Sequence, residues 1–210
     1  MTFPRLVAVT DDARLAAEGF SERMRALLDA GLPALWLRGK ALEAASFFER
    51  AQDARLATEL QGAELWIGDR ADVASLVGAD RLHLPEEGVP LAVARRVVGE
   101  GMPIGRSVHG VEAARRAATE GVDHLVVGTI FSTASHPDVE PGGPERVAAV
   151  REALGEPRER PLYAIGGLDP SRVEAAMAAG ADGVVALRAL WESPRPVETV
   201  AAFLDALGDR

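Results

Sequence analysis

The sequence predicts an α/β fold, a single (β/α)8 TIM barrel in which eight parallel strands alternate with helices. Three observations carry that expectation. First, a helical run that ends beside glycine and passes directly into a short apolar segment recurs as "DAGLPALWLR" (29–38), "LVGADRLHL" (76–84), "TEGVDHLVVG" (119–128) and "AAGADGVVAL" (178–187). Second, the glycines at 31, 78, 121 and 180 lie 47, 43 and 59 residues apart, about two βα units each, so a further strand belongs between each pair. Third, 210 residues with 48% apolar content suffice for one core of this size, and no linker divides the chain, so residues 1–210 read as one domain.

Taken in order, strand 1 is "RLVAVT" (5–10), and strand 2 closes the first repeat with "ALWLR". Strand 3 is "AELWIG" (63–68), strand 4 closes the second repeat with "RLHL", and strand 5 is "MPIGRS" (102–107). Strand 6 closes the third repeat with "HLVV", strand 7 is "PLYAIGG" (161–167), and strand 8 closes the fourth with "GVVAL". Each is short and rich in branched residues, and amphipathic patterns such as "ADVASLVGA" and "VEAARRAATEG" follow as helices. Glycine in the left-handed conformation closes each helix before the next strand. Asp169 and Pro170 suit the cap and first turn of the helix after strand 7, and "RALWES" suits a short extra helix after strand 8. An open doubly wound sheet is the alternative arrangement of the same elements.

A formal charge of −9 argues against nucleic acid or a membrane surface as partner. No apolar run reaches the roughly 18 residues of a membrane span, and the start "MTFPRLVAVTDD" lacks the pattern of a signal peptide. The absence of cysteine excludes disulfide and thiolate chemistry and fits a cytoplasmic enzyme.

In such a barrel the residues just after each strand meet at one mouth, where the active site sits. Those residues are Thr10 and Asp11, then Arg38 and Lys40, then Asp69 and Arg70. His83, Glu86 and Glu87 belong to strand 4, and Arg106, Ser107 and His109 to strand 5. Thr129, Thr133, Ser135 and His136 follow strand 6, Gly166 and Gly167 strand 7, and Leu187 and Arg188 strand 8. Several cations at one rim of an acidic chain point to a polyanionic ligand. Two glycines before a helix let backbone amides approach a phosphate. Asp69 with Glu86 or Glu87 offers oxygen ligands of the kind magnesium takes beside ligand phosphates. Trp36 and Trp66 are core candidates that could also stack on a planar ring. The long segment "TIFSTASHPDVEPGG" (129–143) lacks apolar periodicity and reads as a loop covering the mouth.

Six ordered stretches, "AVTDD", "LWLRGK", "IGDRADVASLVGADRLHL", "IGRSVHGVEAA", "VVGTIFST" and "YAIGGLDPSRVEAAMAAGADGVVAL", resemble the thiamine-phosphate synthase superfamily, which includes the synthases and the thiazole tautomerase branch. The synthase joins a hydroxymethylpyrimidine diphosphate to a thiazole phosphate with magnesium. The resemblance implies that Arg38, Lys40 and Ser107 face the diphosphate and that Gly166 and Gly167 hold the thiazole phosphate. It places Trp36 where the synthase has a pyrimidine-contacting Gln, and Gly68 and Gly88 where it has Asn and a second metal-binding Asp, with Glu87 as the nearest substitute. Thr133, Ser135 and His136 stand for Thr, Thr and Lys, and Arg188 for a serine. Loss of charge-handling groups at four positions disfavours heterolysis of a diphosphate, so the resemblance implies a tautomerase-like isomerase that binds a phosphorylated thiazole and needs no cofactor. The tautomerase histidine corresponds to Thr129, which leaves His109, His136 and Lys40 as candidate proton carriers. The alternatives are a divergent magnesium-dependent synthase, a catalytically silent phosphate sensor, or another phosphate-binding barrel such as an epimerase. A homo-oligomer is compatible with this reading.

Overall fold

The computed structural model describes residues 3–135, 138–155 and 160–208. Its strands are β1 (Leu6–Val9), β2 (Ala34–Leu37), β3 (Glu64–Gly68), β4 (Arg81–Leu84), β5 (Ile104–Val108), β6 (His124–Val127), β7 (Leu162–Ile165) and β8 (Gly183–Ala186). All pair in parallel with their sequence neighbours, and β8 pairs back onto β1 with Leu6, Val7 and Ala8 opposite Val184, Val185 and Ala186. This is the expected (β/α)8 barrel; an open sheet would leave two strands unpaired.

The pleat divides each strand between two cores. Leu6 and Ala8 pack outward among the helices, whereas Val7 and Val9 turn inward to a cluster with Trp36, Trp66, Val126, Tyr163 and Val185. Trp66 fills the barrel centre with its Nε1 donating to Glu64 at 2.8 Å, so core filling is its role.

Around the strands run α1 (Asp12–Ala16), α2 (Phe20–Asp29), α3 (Ala44–Gln61), α4 (Ala71–Val77), α5 (Leu91–Val98), α6 (Val111–Glu120), α7 (Gly143–Leu154), α8 (Val173–Ala178), α9 (Arg188–Trp191) and α10 (Pro196–Leu207). The extra helix after β8 is α9. The helical segment after β1 is broken in two: Asp11 caps α1 by accepting from the Arg14 amide at 3.0 Å, and the chain resumes as α2 after Gly19. Phe20 then stacks on Trp191 of α9 at 5.5 Å.

The repeat has a structural meaning that periodicity did not reveal. Asp80, Asp123 and Asp182, each two residues after a repeat glycine, precede β4, β6 and β8. Their carboxylates accept from the amides of Leu65, Ile104 and Leu162 at 2.7, 2.7 and 2.8 Å. Their own amides donate back to the carbonyls of those same residues. Arg55, Arg95 and Arg151 neutralise the three carboxylates. Each aspartate thus clamps its strand to the one before at the foot of the barrel. The left-handed glycine, as at Gly78 (φ 63°) and Gly121 (φ 88°), turns the chain so that the clamp can form.

Candidate functional site

A cavity of about 820 Å³ opens at the C-terminal mouth, within the size range of small-molecule sites. From β2 it receives Trp36, Arg38 and Lys40; from β3 and β5, Asp69, Ser107 and His109. The β6 loop adds Thr129, Thr133 and Ser135, while Gly166, Gly167, Leu187 and Arg188 come from β7 and β8. Residues picked from six separate strand ends therefore surround one space. His136 lies outside the described residues.

Two of the residues expected to bind phosphate or metal are placed elsewhere. Arg106 is buried on the helix side of β5, where its guanidinium donates to the carbonyls of Pro85, Glu86 and Val89 and pairs with Glu120. Pleat parity explains the correction: Gly105 and Ser107 turn inward, so Arg106 between them turns out. Glu87 is exposed and does not line the cavity, because the turn from Pro85 to Gly88 directs it away.

The loop carrying Arg38 and Lys40 is held by residues of the neighbouring strand end. Thr10 is fully buried; its hydroxyl accepts from the Arg38 amide at 2.8 Å and donates to the Arg38 carbonyl at 3.2 Å. Asp12 accepts from the amides of Ala41 at 2.8 Å and Leu42 at 3.1 Å. Burial raises the Asp12 pKa, but the amide bonds from Ala41, Lys40 and Leu42 and the charge of Arg38 outweigh it, so the carboxyl is held below its ordinary value. Arg14, paired with Asp11 and Glu192, stands with Arg38 and Arg188 around a side recess of the mouth. Asp12 was missed in the sequence; its only signal is its place in "TDDA" just past strand 1.

The loop after β6 is tied at both ends. The amides of Ile130 and Phe131 extend the pairing onto β7 through the carbonyls of Ile165 and Gly166 at 3.0 and 2.9 Å. The returning Gly142 and Gly143 donate to Thr129 and Ile130, each at 2.9 Å. Arg146 adds bonds to the carbonyls of Gly128 and Thr129. Between these ties Ser132, Thr133, Ser135 and Val139 face the cavity. Gly167 (φ 62°) packs against this loop so closely that a Cβ there would lie 2.5 Å from the Ser132 carbonyl oxygen. The glycine pair therefore seats the loop as well as presenting backbone to the cavity.

At the floor, the Trp36 indole lies over Gly68, where a Cβ would come within 2.8 Å of its Nε1. That nitrogen is buried with no partner among the described residues. Trp36 and Gly68 are thus a matched pair: the large ring occupies the room that a side chain at 68 would take. Two further polar groups inside the barrel are His83, whose Nε2 is 3.0 Å from Ser107 Oγ, and His124, whose Nε2 is 3.2 Å from His83 Nδ1. Burial, with Arg38 and Arg106 adding, pushes the His83 pKa down to about 3; burial, then His83 and Arg81, puts His124 well below its ordinary value. At the rim, His109 is oriented by Glu86, whose carboxylate meets its backbone amide at 2.8 Å and its Nδ1 at 2.7 Å.

Among the described residues no cluster of three or more His, Cys, Asp or Glu could hold a metal by itself. Asp69, exposed on the cavity wall at φ 63°, fits magnesium of the kind that takes one protein carboxylate and completes its shell with ligand phosphates and water. Glu86 also lines the cavity, but its carboxylate is engaged by His109.

Among the described residues no helix is long and apolar enough to cross a membrane. The chain is 37% identical to a thiamine-phosphate synthase of Saccharopolyspora erythraea over 97% of its own length and 93% of that protein's. It is 39% identical to a thiamine-phosphate synthase of Gloeobacter violaceus, spanning 86% of this chain but about half, 52%, of that longer protein. A solved thiamine phosphate pyrophosphorylase from Pyrococcus furiosus superposes with a TM-score of 0.84 at 27% identity, covering 98% of this chain and 96% of that one. The family model for thiamine monophosphate synthase matches residues 6–190, a span that holds every cavity residue named above, and the barrel is therefore that of an enzyme of thiamine biosynthesis belonging to the thiamine monophosphate synthase family.

Proposed function

We propose that the chain transfers a hydroxymethylpyrimidine unit from its diphosphate to a thiazole phosphate, the synthase reaction, and not primarily the tautomerisation that the resemblance first suggested. The observation that carries this reading is the gathering of Arg38, Lys40, Ser107 and Asp69 from three strand ends onto one cavity wall, with Arg188 completing the cationic side. One phosphorylated thiazole does not call for so many cations; a diphosphate leaving group does. The relatives' names agree with a transferase.

In this reading the C–O bond to the diphosphate breaks, the pyrimidine methylene takes on positive charge, and the thiazole ring nitrogen supplies the electron pair of the new C–N bond. Arg38, Lys40 and the Ser107 hydroxyl take up the charge of the departing diphosphate. Trp36 offers an aromatic face to the cationic pyrimidine, in place of a side-chain amide. Gly166, Gly167 and the hydroxyls of Thr133 and Ser135 receive the thiazole phosphate. Magnesium, when bound with Asp69 as its protein ligand, neutralises diphosphate charge.

The test is incubation with both phosphorylated substrates, with and without magnesium, followed by mass-spectrometric detection of thiamine phosphate. Magnesium-dependent product supports the reading. Absence of coupling together with isomerisation of a thiazole carboxylate phosphate would replace it with the isomerase reading, which the His109–Glu86 pair favours. A carboxylate-oriented imidazole on a ligand cavity is equipped to move a proton, and His109→Asn would then abolish the isomerisation.

A further inference from the structure

Above the Glu64–Arg81 pair, a line of polar side chains crosses three strands inside the barrel: Ser107 on β5, His83 on β4 and His124 on β6. Space has been made for it. A Cβ on Gly105 would lie 2.0 Å from His124 Nε2, so only glycine at that place of β5 lets the imidazole reach across to β4. Among the described residues His124 Nδ1 is buried with no partner, and the two rings stand 5.3 Å apart.

The hydrogen-bond count along this line has two solutions. Both rings are wholly buried beside arginines, with Arg38 and Arg106 near His83 and Arg81 near His124, so each imidazole is neutral and carries one proton. If His83 donates from Nδ1, the proton of His124 sits on Nδ1, a buried N–H with no acceptor, and Ser107 must spend its hydroxyl proton on His83 Nε2. If His124 donates from Nε2, only a lone pair is left unpaired at its Nδ1. His83 then donates from Nε2 to the Ser107 oxygen. A buried orphan N–H is rarer than an under-used acceptor, which favours the second solution.

We propose that His124 and His83 form a relay of fixed tautomers that holds the Ser107 hydroxyl as a hydrogen-bond donor to an anionic ligand group on the cavity floor. The relay rests on the reading that Ser107 faces the diphosphate. Both histidines are positioning residues: they act through Ser107, whose oxygen is already occupied as an acceptor and whose proton is free to point into the cavity. Two unbroken donations, from His124 to His83 and from His83 to Ser107, polarise that hydroxyl further.

Nitrogen NMR of the protein carrying 15N-histidine, with signals assigned through single histidine variants, reads the tautomers directly. Both buried rings are expected to carry their proton on Nε2; a proton on His83 Nδ1 overturns the relay. Calorimetry with inorganic pyrophosphate and magnesium reads its consequence. Ser107→Ala is expected to weaken binding about tenfold and His124→Phe about threefold, the size of losing a modest hydrogen bond. His124→Gln, whose amide can donate to His83, is expected to bind like the parent. In the Ser107→Ala background His124→Phe is expected to change nothing further, whereas a merely structural defect would weaken binding there too and so overturn the relay. The tautomers are read on the unaltered protein, so a variant that fails to fold does not remove the test. If Ser107→Ala binds pyrophosphate normally, the serine does not face the anion and the relay has no role. If pyrophosphate behaves as expected but no coupling occurs, the transferase reading fails and the relay stands as anion recognition.

Discussion

Asp12 touches no part of the cavity, yet it decides where two cations stand. By holding the amides of Ala41 and Leu42 it folds the segment after β2 back toward β1 and so fixes the course of the chain through Arg38 and Lys40. Asp12→Ala should therefore raise KM for the pyrimidine diphosphate about tenfold, the effect of about 1.4 kcal/mol of lost positioning. KM for the thiazole phosphate should change little; steady-state kinetics with each substrate varied in turn checks this. The same residue marks a limit of sequence reading. Strand ends told which residues reach the mouth, and Arg38, Lys40, Ser107 and Arg188 were legible in that way. Whether a residue faces in or out depends on pleat parity, which is why Arg106 was misplaced. Asp12 and His124 are read only when one knows which backbone group or ring lies across the next strand.

At the level of elements, the order of strands was legible because the repeat glycines mark off about two βα units at a time, and the broken first helix was not, because its interruption depends on the packing of Phe20 against Trp191. The repeat itself was seen but not understood: its aspartates are the clamps at the foot of the barrel. Their strength should follow their burial. Asp182 is 19% exposed and its partner Arg151 10%, whereas Asp80 and Asp123 are 39% and 44% exposed. Asp182→Ala leaves a buried guanidinium and the Leu162 amide without their partner and should cost about 3 kcal/mol, or about 6 to 12 °C in Tm for a chain of this size. Asp80→Ala and Asp123→Ala should each cost about 1 kcal/mol, since water reaches those sites. Thermal unfolding followed by circular dichroism gives the ranking directly.

For the molecule as a whole, the buried histidines make stability depend on pH. Their folded pKa values lie below those of the unfolded chain, so below about pH 6.5 the unfolded state binds the more protons and stability rises with pH, for His83 from about pH 3 upward. Each histidine contributes a slope of about 1.4 kcal/mol per pH unit below about pH 6, present until the folded group itself titrates. Urea unfolding at pH 7, 6 and 5 should show stability falling toward acid. His124→Phe should remove about half of that histidine slope; an unchanged slope would mean that His124 is already protonated in the native protein.

The three clamps join β3 to β4, β5 to β6 and β7 to β8, and the pair β1 and β2 has Leu32 and Pro33 where the aspartate would stand. The barrel is thus stapled in twos, and its natural unit of exchange is a strand pair. Hybrids with related barrels joined within α5 or α7 carry every staple over intact, while a junction within α4, α6 or α8 entrusts the two halves of a staple to different parents. Recombination along this chain is constrained at its foot, at the opposite end of the barrel from the cavity.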